Sequence, residues 1–214
     1  MDNAIFVHLY FESQKGPEIM IILASNSPRR REILTDLGVD FKVLPADTDE
    51  TCNITDPAAF AEELARRKGA AVYDSLLKSE GKEAADEAVI ISADTVVAAG
   101  GEILGKPKNE EDAFRMISLL SGRTHSVITG IGITFRGETR VSHSNTGVTV
   151  DEIPEEEIRR YIASGDPMDK AGAYGIQSGF SRWVSGIDGC YFGVVGLPVN
   201  ALNKLYFEVT GKWL

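Results

Sequence analysis

The chain has 214 residues, of which 43% are hydrophobic and 25% are charged, a balance that is typical of globular proteins and excludes a disordered or low-complexity chain. Acidic residues outnumber basic ones by 32 to 22, and the net charge of -10 disfavours nucleic-acid polymers and anionic membrane surfaces as partners. The two cysteines, Cys52 and Cys190, show no CxxC or histidine spacing, which indicates neither a zinc site nor a disulfide framework and favours a reducing compartment.

The first 18 residues are predicted to be an N-terminal extension ahead of a single domain over residues 19–214. Their opening, MDNAIFVHLYFES, starts with an acid and carries no basic segment, so it does not resemble a secretion signal. No stretch of the sequence approaches the roughly 18 to 20 consecutive apolar residues of a membrane span. We therefore expect a cytoplasmic protein with no membrane partner.

Strands and helices alternate in the first part of the domain. Apolar residues 19–24 predict a strand covered on both faces, and the spacing of residues 28–37 predicts a helix directly after it. A second strand is predicted over residues 41–46, followed by an acidic loop. A long helix opens at Pro57, and the polar residues 74–88 are interpreted as its end and a solvated connection.

The second part of the domain is richer in β-structure. Residues 88–101 (AVIISADTVVAAGG) carry the strongest strand pattern and lead into a short hairpin. A helix runs from Asn109 to Gly122, and β-rich runs over 124–135 and 139–150 predict a second hairpin. The remainder is predicted as a helix over 154–164, a glycine-rich segment over 165–189, a strand, and a final helix near 199–208. The fold class is therefore α/β with a mixed sheet.

Residues 25–31 (SNSPRRR) break the usual charge pattern of a helix start. The predicted helix carries Arg29, Arg30 and a third arginine in its first turn, where cations oppose the helix dipole. An anion at this terminus would reverse the penalty, because exposed N–H groups and guanidinium groups would converge on one phosphate. The segment, with Ser25 in its loop, predicts a phosphate site; a solvated basic turn is the alternative.

Two charged residues lie at positions predicted to be buried. Lys68 shares the apolar stripe of its helix, where an ammonium group needs a partner or must snorkel to the rim. Asp94 lies inside the apolar strand, where a carboxylate is costly to bury unless it is paired, hydrogen-bonded or bound to a metal. A functional role for Asp94 is favoured over a structural salt bridge. The acidic loop with Asp47, Asp49 and Glu50 could bring a second carboxylate to the same Mg²⁺ or Mn²⁺ ion; a solvated loop is the alternative.

Further cations lie beside glycines, which let the backbone approach a ligand closely. A chain with a net charge of -10 must concentrate cations locally to bind a polyphosphate, so Lys106, Arg123 and Lys170 are candidate phosphate ligands. In the same glycine-rich region, Tyr174 could stack on a base and Gln177 could hydrogen-bond to it. The alternative for this last pair is a tyrosine that caps the core and a glutamine on the surface.

Six blocks of the sequence closely resemble the Maf family. They are residues 23–34 (LASNSPRRREIL), 92–97 (SADTVV), 105–107 (GKP), 120–130 (LSGRTHSVITG), 169–177 (DKAGAYGIQ) and 195–198 (VGLP). The resemblance implies a nucleoside triphosphate pyrophosphatase that requires a divalent metal, Mg²⁺ or Mn²⁺. It also implies a two-lobed mixed-sheet fold resembling inosine triphosphate pyrophosphatase, with the active site in the cleft between the lobes, and a homodimer.

The resemblance assigns roles at matching positions. Asp94 resembles the family's catalytic base, and Glu50 resembles its partner in holding the metal. Lys68, Lys106 and Arg30 would contact the phosphates. Three positions that separate the family's substrate branches resemble the dTTP/UTP branch here rather than the 7-methyl-GTP branch, and they are Arg29, Thr95 and Gln177. The chain departs from the family pattern at residues 1–18, at residues 74–88 and at Gly69.

The resemblance thus implies an enzyme that clears dTTP, UTP or modified pyrimidine nucleotides from the nucleotide pool. The alternative is a nucleotide-binding regulator of cell division or stress that does not turn its ligand over. The presence of both Asp94 and Glu50 favours the enzyme, because carboxylates that face a triphosphate help only when a metal bridges them.

Overall fold

The structure, a computed structural model, describes residues 19–46 and 48–214, so the predicted extension over residues 1–18 lies outside the described part of the chain. The strands are β1 Met20–Leu23, β2 Phe41–Val43, β3 Ala88–Ala99, β4 Glu102–Leu104, β5 Thr124–Phe135, β6 Glu138–Val150 and β7 Val184–Asp188. The α-helices are α1 Pro28–Asp36, α2 Pro57–Ser79, α3 Lys82–Glu87, α4 Glu110–Leu120, α5 Glu155–Ala163, α6 Tyr191–Val195 and α7 Val199–Thr210. None of these helices combines the length and the apolar character needed to cross a membrane.

The strands form one mixed sheet in the order β2-β1-β3-β5-β6-β7, with β4 added to β3. β1 pairs in parallel with β2 and β3, whereas β3, β5, β6 and β7 pair antiparallel in succession. The predicted α/β class with a mixed sheet is confirmed, as is the hairpin of β5 and β6. The likeness to inosine triphosphate pyrophosphatase stays a prediction.

One edge of β3 is only partly covered by other strands. β5 pairs with one edge over residues 89–98, while β1 pairs with the opposite edge only over residues 88–91. β4 covers that second edge again over residues 97–99. Residues 92–96 are therefore left without a strand partner on this side, and here the chain leaves β1 and enters α1.

Alternate residues of β3 pack on the two faces of the sheet. On one face, Ile90 clusters with Ile22 of β1 and with Val72 and Leu76 of α2. On the other face, Ile91 belongs to the largest buried cluster, which also includes residues of α1, α4 and α7. Consecutive residues of β3 thus serve opposite sides of the sheet.

Two sequence-based expectations about local structure are wrong. Residues 74–88 contain the predicted end of the long helix, since α2 ends at Ser79, but the predicted solvated connection holds the short helix α3, which buries Ala85. The strand predicted after residue 189 is the short helix α6, whose first turn is capped by Cys190, and β7 lies within the predicted glycine-rich segment. A short apolar run does not separate a strand from a buried helical turn by its periodicity.

Candidate active site

A cleft with a volume of about 700 Å³ opens beside the uncovered edge of β3. Its walls come from the loop after β1, the start of α1, the helix α2, strand β3, the loop after β4, and residues 169–178 and 194–196. Segments that are far apart in the sequence therefore meet here. All but one of the predicted site residues line the cleft, namely Ser25, Arg29, Arg30, Glu50, Lys68, Asp94, Thr95, Lys106, Lys170, Tyr174 and Gln177.

Arg123 is the exception. It is exposed in the turn between α4 and β5, where its backbone bonds to Leu120 and Val150, and it does not line the cleft. The preceding Gly122 has a φ of +69°, so the end of α4 needs a glycine there for backbone reasons alone. The structure does not bring Arg123 to the phosphate site predicted for it.

Lys68 joins two carboxylates on one wall of the cleft. Its Nζ donates to Asp94 Oδ1 at 2.6 Å and lies 2.8 Å from Glu50 Oε1. The Lys68 and Asp94 side chains are 14% and 13% exposed, whereas the Glu50 side chain is 61% exposed. The hydrogen bond from Lys68 lowers the pKa of Glu50 below its ordinary value. The charges that the sequence marks as costly are therefore paired, and the pair faces a cleft instead of a closed core.

Small residues let α2 lie close enough to the sheet for Lys68 to reach β3. A Cβ built on Gly130 of β5 would lie 2.3 Å from the carbonyl oxygen of Ala61. A Cβ on Gly69 would lie 2.3 Å from Thr134 Oγ1, so this departure from the family pattern is required by close packing. The glycines thus set the depth at which the lysine enters the cleft wall.

Arg30 is tied to the protein by four hydrogen bonds. Nε donates to the Gly196 carbonyl at 2.8 Å, and Nη1 donates to the Ala93 carbonyl at 2.9 Å and to Ser25 Oγ at 3.1 Å. Nη2 donates to Thr95 Oγ1 at 3.1 Å. Burial lowers the pKa of Arg30. Since a guanidinium group has five N–H donors, most of this one shapes the cleft wall, and little of it is left for the predicted phosphate contact.

Lys170 is held by carboxylates of its own loop. Nζ donates to the carbonyl and to Oδ1 of Asp166, at 2.6 and 3.0 Å, and to Asp169 Oδ1 at 2.7 Å. All three donors of the ammonium group are therefore in use, and Arg29 also lies 3.7 Å from Asp169. Lys170 holds its loop in this structure instead of offering a free charge. The spacing of the two aspartates, four and one residues before the lysine, is the signal that the sequence analysis missed.

The loop that carries Gln177 is anchored by a second set of hydrogen bonds. The Tyr161 hydroxyl donates to the Asp166 carboxylate and accepts from the Gly175 N–H at 3.1 Å. Ser178 Oγ contacts Asp166 Oδ2 at 2.6 Å. These contacts fix the loop from behind, so that the exposed Gln177 side chain lines the cleft.

Tyr174 is mainly a core residue. It is 6% exposed, its ring packs between His125 and Phe180, and its hydroxyl lies 2.7 Å from His125 Nε2. Burial lowers the pKa of His125 to about 4 and raises that of Tyr174, so both groups are neutral and share one hydrogen bond between the hydroxyl and Nε2. The alternative interpretation, a tyrosine that caps the core, therefore describes Tyr174 better than stacking on a base.

Among the residues that the structure describes, no N-cap side chain accepts from the first turn of α1. Ser27 stands at the N-cap position but makes no capping hydrogen bond with its side chain. The corresponding side chains of Asp56 at α2 and Asn109 at α4 each accept a bond from their own first turn. The first-turn N–H groups of α1 are thus not capped by Ser27, and they lie beside the arginines at the cleft.

The described carboxylates do not form a self-contained metal site. Within residues 19–46 and 48–214, no three His, Cys, Asp or Glu side chains converge on one point. Glu50 and Asp94 do meet at the Lys68 ammonium group and can offer two hard oxygen ligands. That number fits Mg²⁺, which commonly takes one or two carboxylates and completes its shell with substrate phosphates and water.

A family model described as Maf-like protein matches residues 20–209. The chain belongs to the Maf family. It is 50% identical over 186 residues to a dTTP/UTP pyrophosphatase of Thermococcus kodakarensis, and the match covers 87% of this chain and 95% of that relative. It is 48% identical over 193 residues to a dTTP/UTP pyrophosphatase of Agathobacter rectalis, with 86% and 94% covered. The Maf resemblance of the six sequence blocks is confirmed.

Proposed function

We propose that this Maf-family chain is a pyrophosphatase that hydrolyses dTTP and UTP to the nucleoside monophosphate and pyrophosphate. The observation that carries the proposal is the Lys68 ammonium group held between Asp94 and Glu50 at the wall of the cleft. The names of the relatives, which match most of the chain, support the same substrates. Such an activity would remove pyrimidine nucleotides, including modified ones, from the nucleotide pool.

In the proposed reaction, Asp94 acts as a general base. A water oxygen forms a bond to the α-phosphorus while the bond from that phosphorus to the α–β bridging oxygen breaks. Asp94 takes the proton of the water, and pyrophosphate leaves with the bridging oxygen. Lys68 orients Asp94 through Oδ1. Lys106, exposed at the cleft, is placed to neutralise the negative charge of the phosphates.

A divalent cation belongs to the proposal. Glu50 and Asp94 would hold Mg²⁺ or Mn²⁺ together with oxygens of the substrate. When bound, the ion supplies Lewis acidity and neutralises part of the triphosphate charge. Lys68 keeps the two carboxylates near each other and so maintains the donor set that the ion would use. A homodimer, implied by the family resemblance, and a cytoplasmic location, favoured by the two unpaired cysteine positions in the sequence, complete the proposal.

A panel of nucleoside triphosphates tests the proposal. With Mg²⁺ or Mn²⁺, we expect pyrophosphate and the monophosphate from dTTP and UTP, slower release from the other triphosphates, and no release with a chelator present. Orthophosphate as the first product would contradict the bond assignment. Full activity in the chelator would contradict the metal.

The regulator alternative makes a different prediction in the same assay. A non-catalytic binding protein would be protected thermally by dTTP or UTP but would release no pyrophosphate with either metal. That result would contradict the enzyme proposal and favour the regulator.

A further inference from the structure

A chain of hydrogen bonds runs from the cleft into the core behind it. Arg30 Nη2 donates to Thr95 Oγ1 at 3.1 Å, Thr95 Oγ1 lies 2.9 Å from Thr129 Oγ1, and Thr129 Oγ1 donates to the Gly193 carbonyl at 2.7 Å. Thr95 lines the cleft and is partly exposed. Thr129 is 0% exposed on β5 and is not part of the cleft wall.

The two ends of this chain fix the direction of every bond in it. A guanidinium group can only donate, and a backbone carbonyl can only accept. Thr129 has a single hydroxyl proton, and it is used in the hydrogen bond that Thr129 donates to the Gly193 carbonyl. That carbonyl lies in the last turn of α6, where helix carbonyls lack partners within the helix. Thr95 must therefore donate its own proton to Thr129.

The consequence for the cleft is a hydroxyl group of fixed polarity. Thr95 donates its hydroxyl proton in the hydrogen bond to Thr129 and accepts the hydrogen bond from Arg30 with one lone pair. One lone pair therefore remains for a ligand. A threonine hydroxyl normally adapts by rotation to either a donor or an acceptor. Here it can only accept.

We propose that Thr129 is a positioning residue for substrate selection, because it makes Thr95 an obligate acceptor that pairs with the N3–H group of uracil or thymine. This inference rests on the proposed function. Uracil and thymine carry a proton at N3, whereas cytosine carries a lone pair there. Two lone pairs cannot form a hydrogen bond, so a cytosine ring placed in the same way leaves both groups unpaired.

The substitution Thr129→Val tests the inference in the whole chain. Valine keeps the shape of the buried side chain but removes the acceptor, so the Thr95 proton becomes free to turn toward the cleft. We expect the ratio of kcat/KM for UTP over CTP to fall by about 10-fold, the size of one hydrogen-bond difference. Thr129→Ser restores the hydroxyl group and should keep the wild-type ratio.

A matched control separates polarity from loss of stability. Thr134 is another fully buried threonine of β5, its Oγ1 lies 2.7 Å from that of Thr139, and it is outside the cleft. Thr134→Val should lower the thermal midpoint to a similar degree and leave the UTP/CTP ratio unchanged. An equal fall of the ratio in Thr134→Val would overturn the inference.

A substrate analogue tests the same contact without any substitution. In 3-methyl-UTP a methyl group replaces the N3 proton, and we expect the wild-type chain to turn it over at least 10-fold more slowly than UTP. Equal turnover of 3-methyl-UTP and UTP, or an unchanged UTP/CTP ratio in an active Thr129→Val variant, would overturn the inference. No pyrophosphate from UTP or dTTP with the wild-type chain would instead contradict the proposed function itself.

Discussion

Lys68 and Lys170 line the same cleft, and both contact two carboxylates, yet they serve different purposes. The partners of Lys68 come from β3 and from the loop before α2, more than ten residues away in sequence on either side. The partners of Lys170 lie within four residues of it. The carboxylates brought from distant elements form the wall that we propose to be catalytic, whereas the carboxylates from the same short stretch hold a loop. The type of residue and its exposure to the cleft do not distinguish these roles; the origin of the partners does.

The largest expected loss of activity comes from changing Asp94, one of the two carboxylates that Lys68 contacts. Asp94→Asn removes the proposed base but keeps its size, and Lys68 retains Glu50, so the fold should survive. We expect pyrophosphate release from UTP to fall by about 100- to 10,000-fold, the range for loss of a general base. Circular dichroism and the thermal midpoint check the fold. Glu102→Gln, which alters an exposed carboxylate paired with Arg115, is the control; substantial turnover by Asp94→Asn would remove Asp94 from the chemistry.

The comparison of the two lysines is tested directly by Lys68→Met and Lys170→Met. Loss of Lys68 should reduce kcat, because it leaves Asp94 without its orienting partner. Loss of Lys170 should loosen the loop that carries Gln177. We expect KM to rise by about 10-fold with a smaller change in kcat, because such a loop stabilises the bound substrate and the transition state equally. Steady-state kinetics with UTP separates the two patterns. A kcat loss of the same size in both variants would show that Lys170 also contacts reacting groups.

Low pH should lower the free energy of unfolding through the buried His125, which contacts Tyr174. Its pKa is about 4 in the fold against an ordinary value of 6.5, so the unfolded chain takes up the proton first as the pH falls. The free energy of unfolding keeps this contribution above about pH 6.5 and loses it toward pH 4, by about 3 kcal/mol in total. Urea unfolding between pH 7 and pH 4.5 measures the slope, and His125→Gln should flatten it. Parallel slopes for the two proteins would exclude His125 as the source.

The smallest effect on activity is expected at Arg123, which does not line the cleft that contains Lys68 and Lys170. Arg123→Ala should leave kcat and KM for UTP within about twofold and the free energy of unfolding within about 0.5 kcal/mol, as for an exposed side chain that forms no hydrogen bond or ion pair with the described part of the chain. A clear rise in KM would show that this arginine reaches the substrate after all.

The sequence predicts residues that break a local rule better than residues that obey one. Lys68 and Asp94 stand out because each interrupts a strongly periodic apolar element, and both line the cleft. Thr129 could not be found in this way, since a threonine in a strand is ordinary and its role depends on a hydroxyl group 34 residues away in sequence. Arg123 shows the opposite error, because a Gly-Arg pair that resembles a ligand loop is explained by a helix end.

The arrangement of the sheet was accessible to different degrees. The hairpin of β5 and β6 and the mixed α/β class follow from local patterns of alternation and turn residues. The uncovered stretch of β3 does not, because it arises from two long-range pairings, with β1 and with β4, that stop short of each other. The position of the cleft therefore required the tertiary structure.

The uncovered edge of β3 could lower the solubility of the protein, and Arg30 lies against this edge. A bare strand edge invites another chain to add a strand, which is a common route to aggregation. Arg30 donates to the Ala93 carbonyl on this edge, so we expect the guanidinium group that shapes the cleft wall to hinder intermolecular pairing as well. Light scattering of Arg30→Ala at rising concentration should therefore reveal aggregates larger than the proposed homodimer, which the wild-type chain should not form.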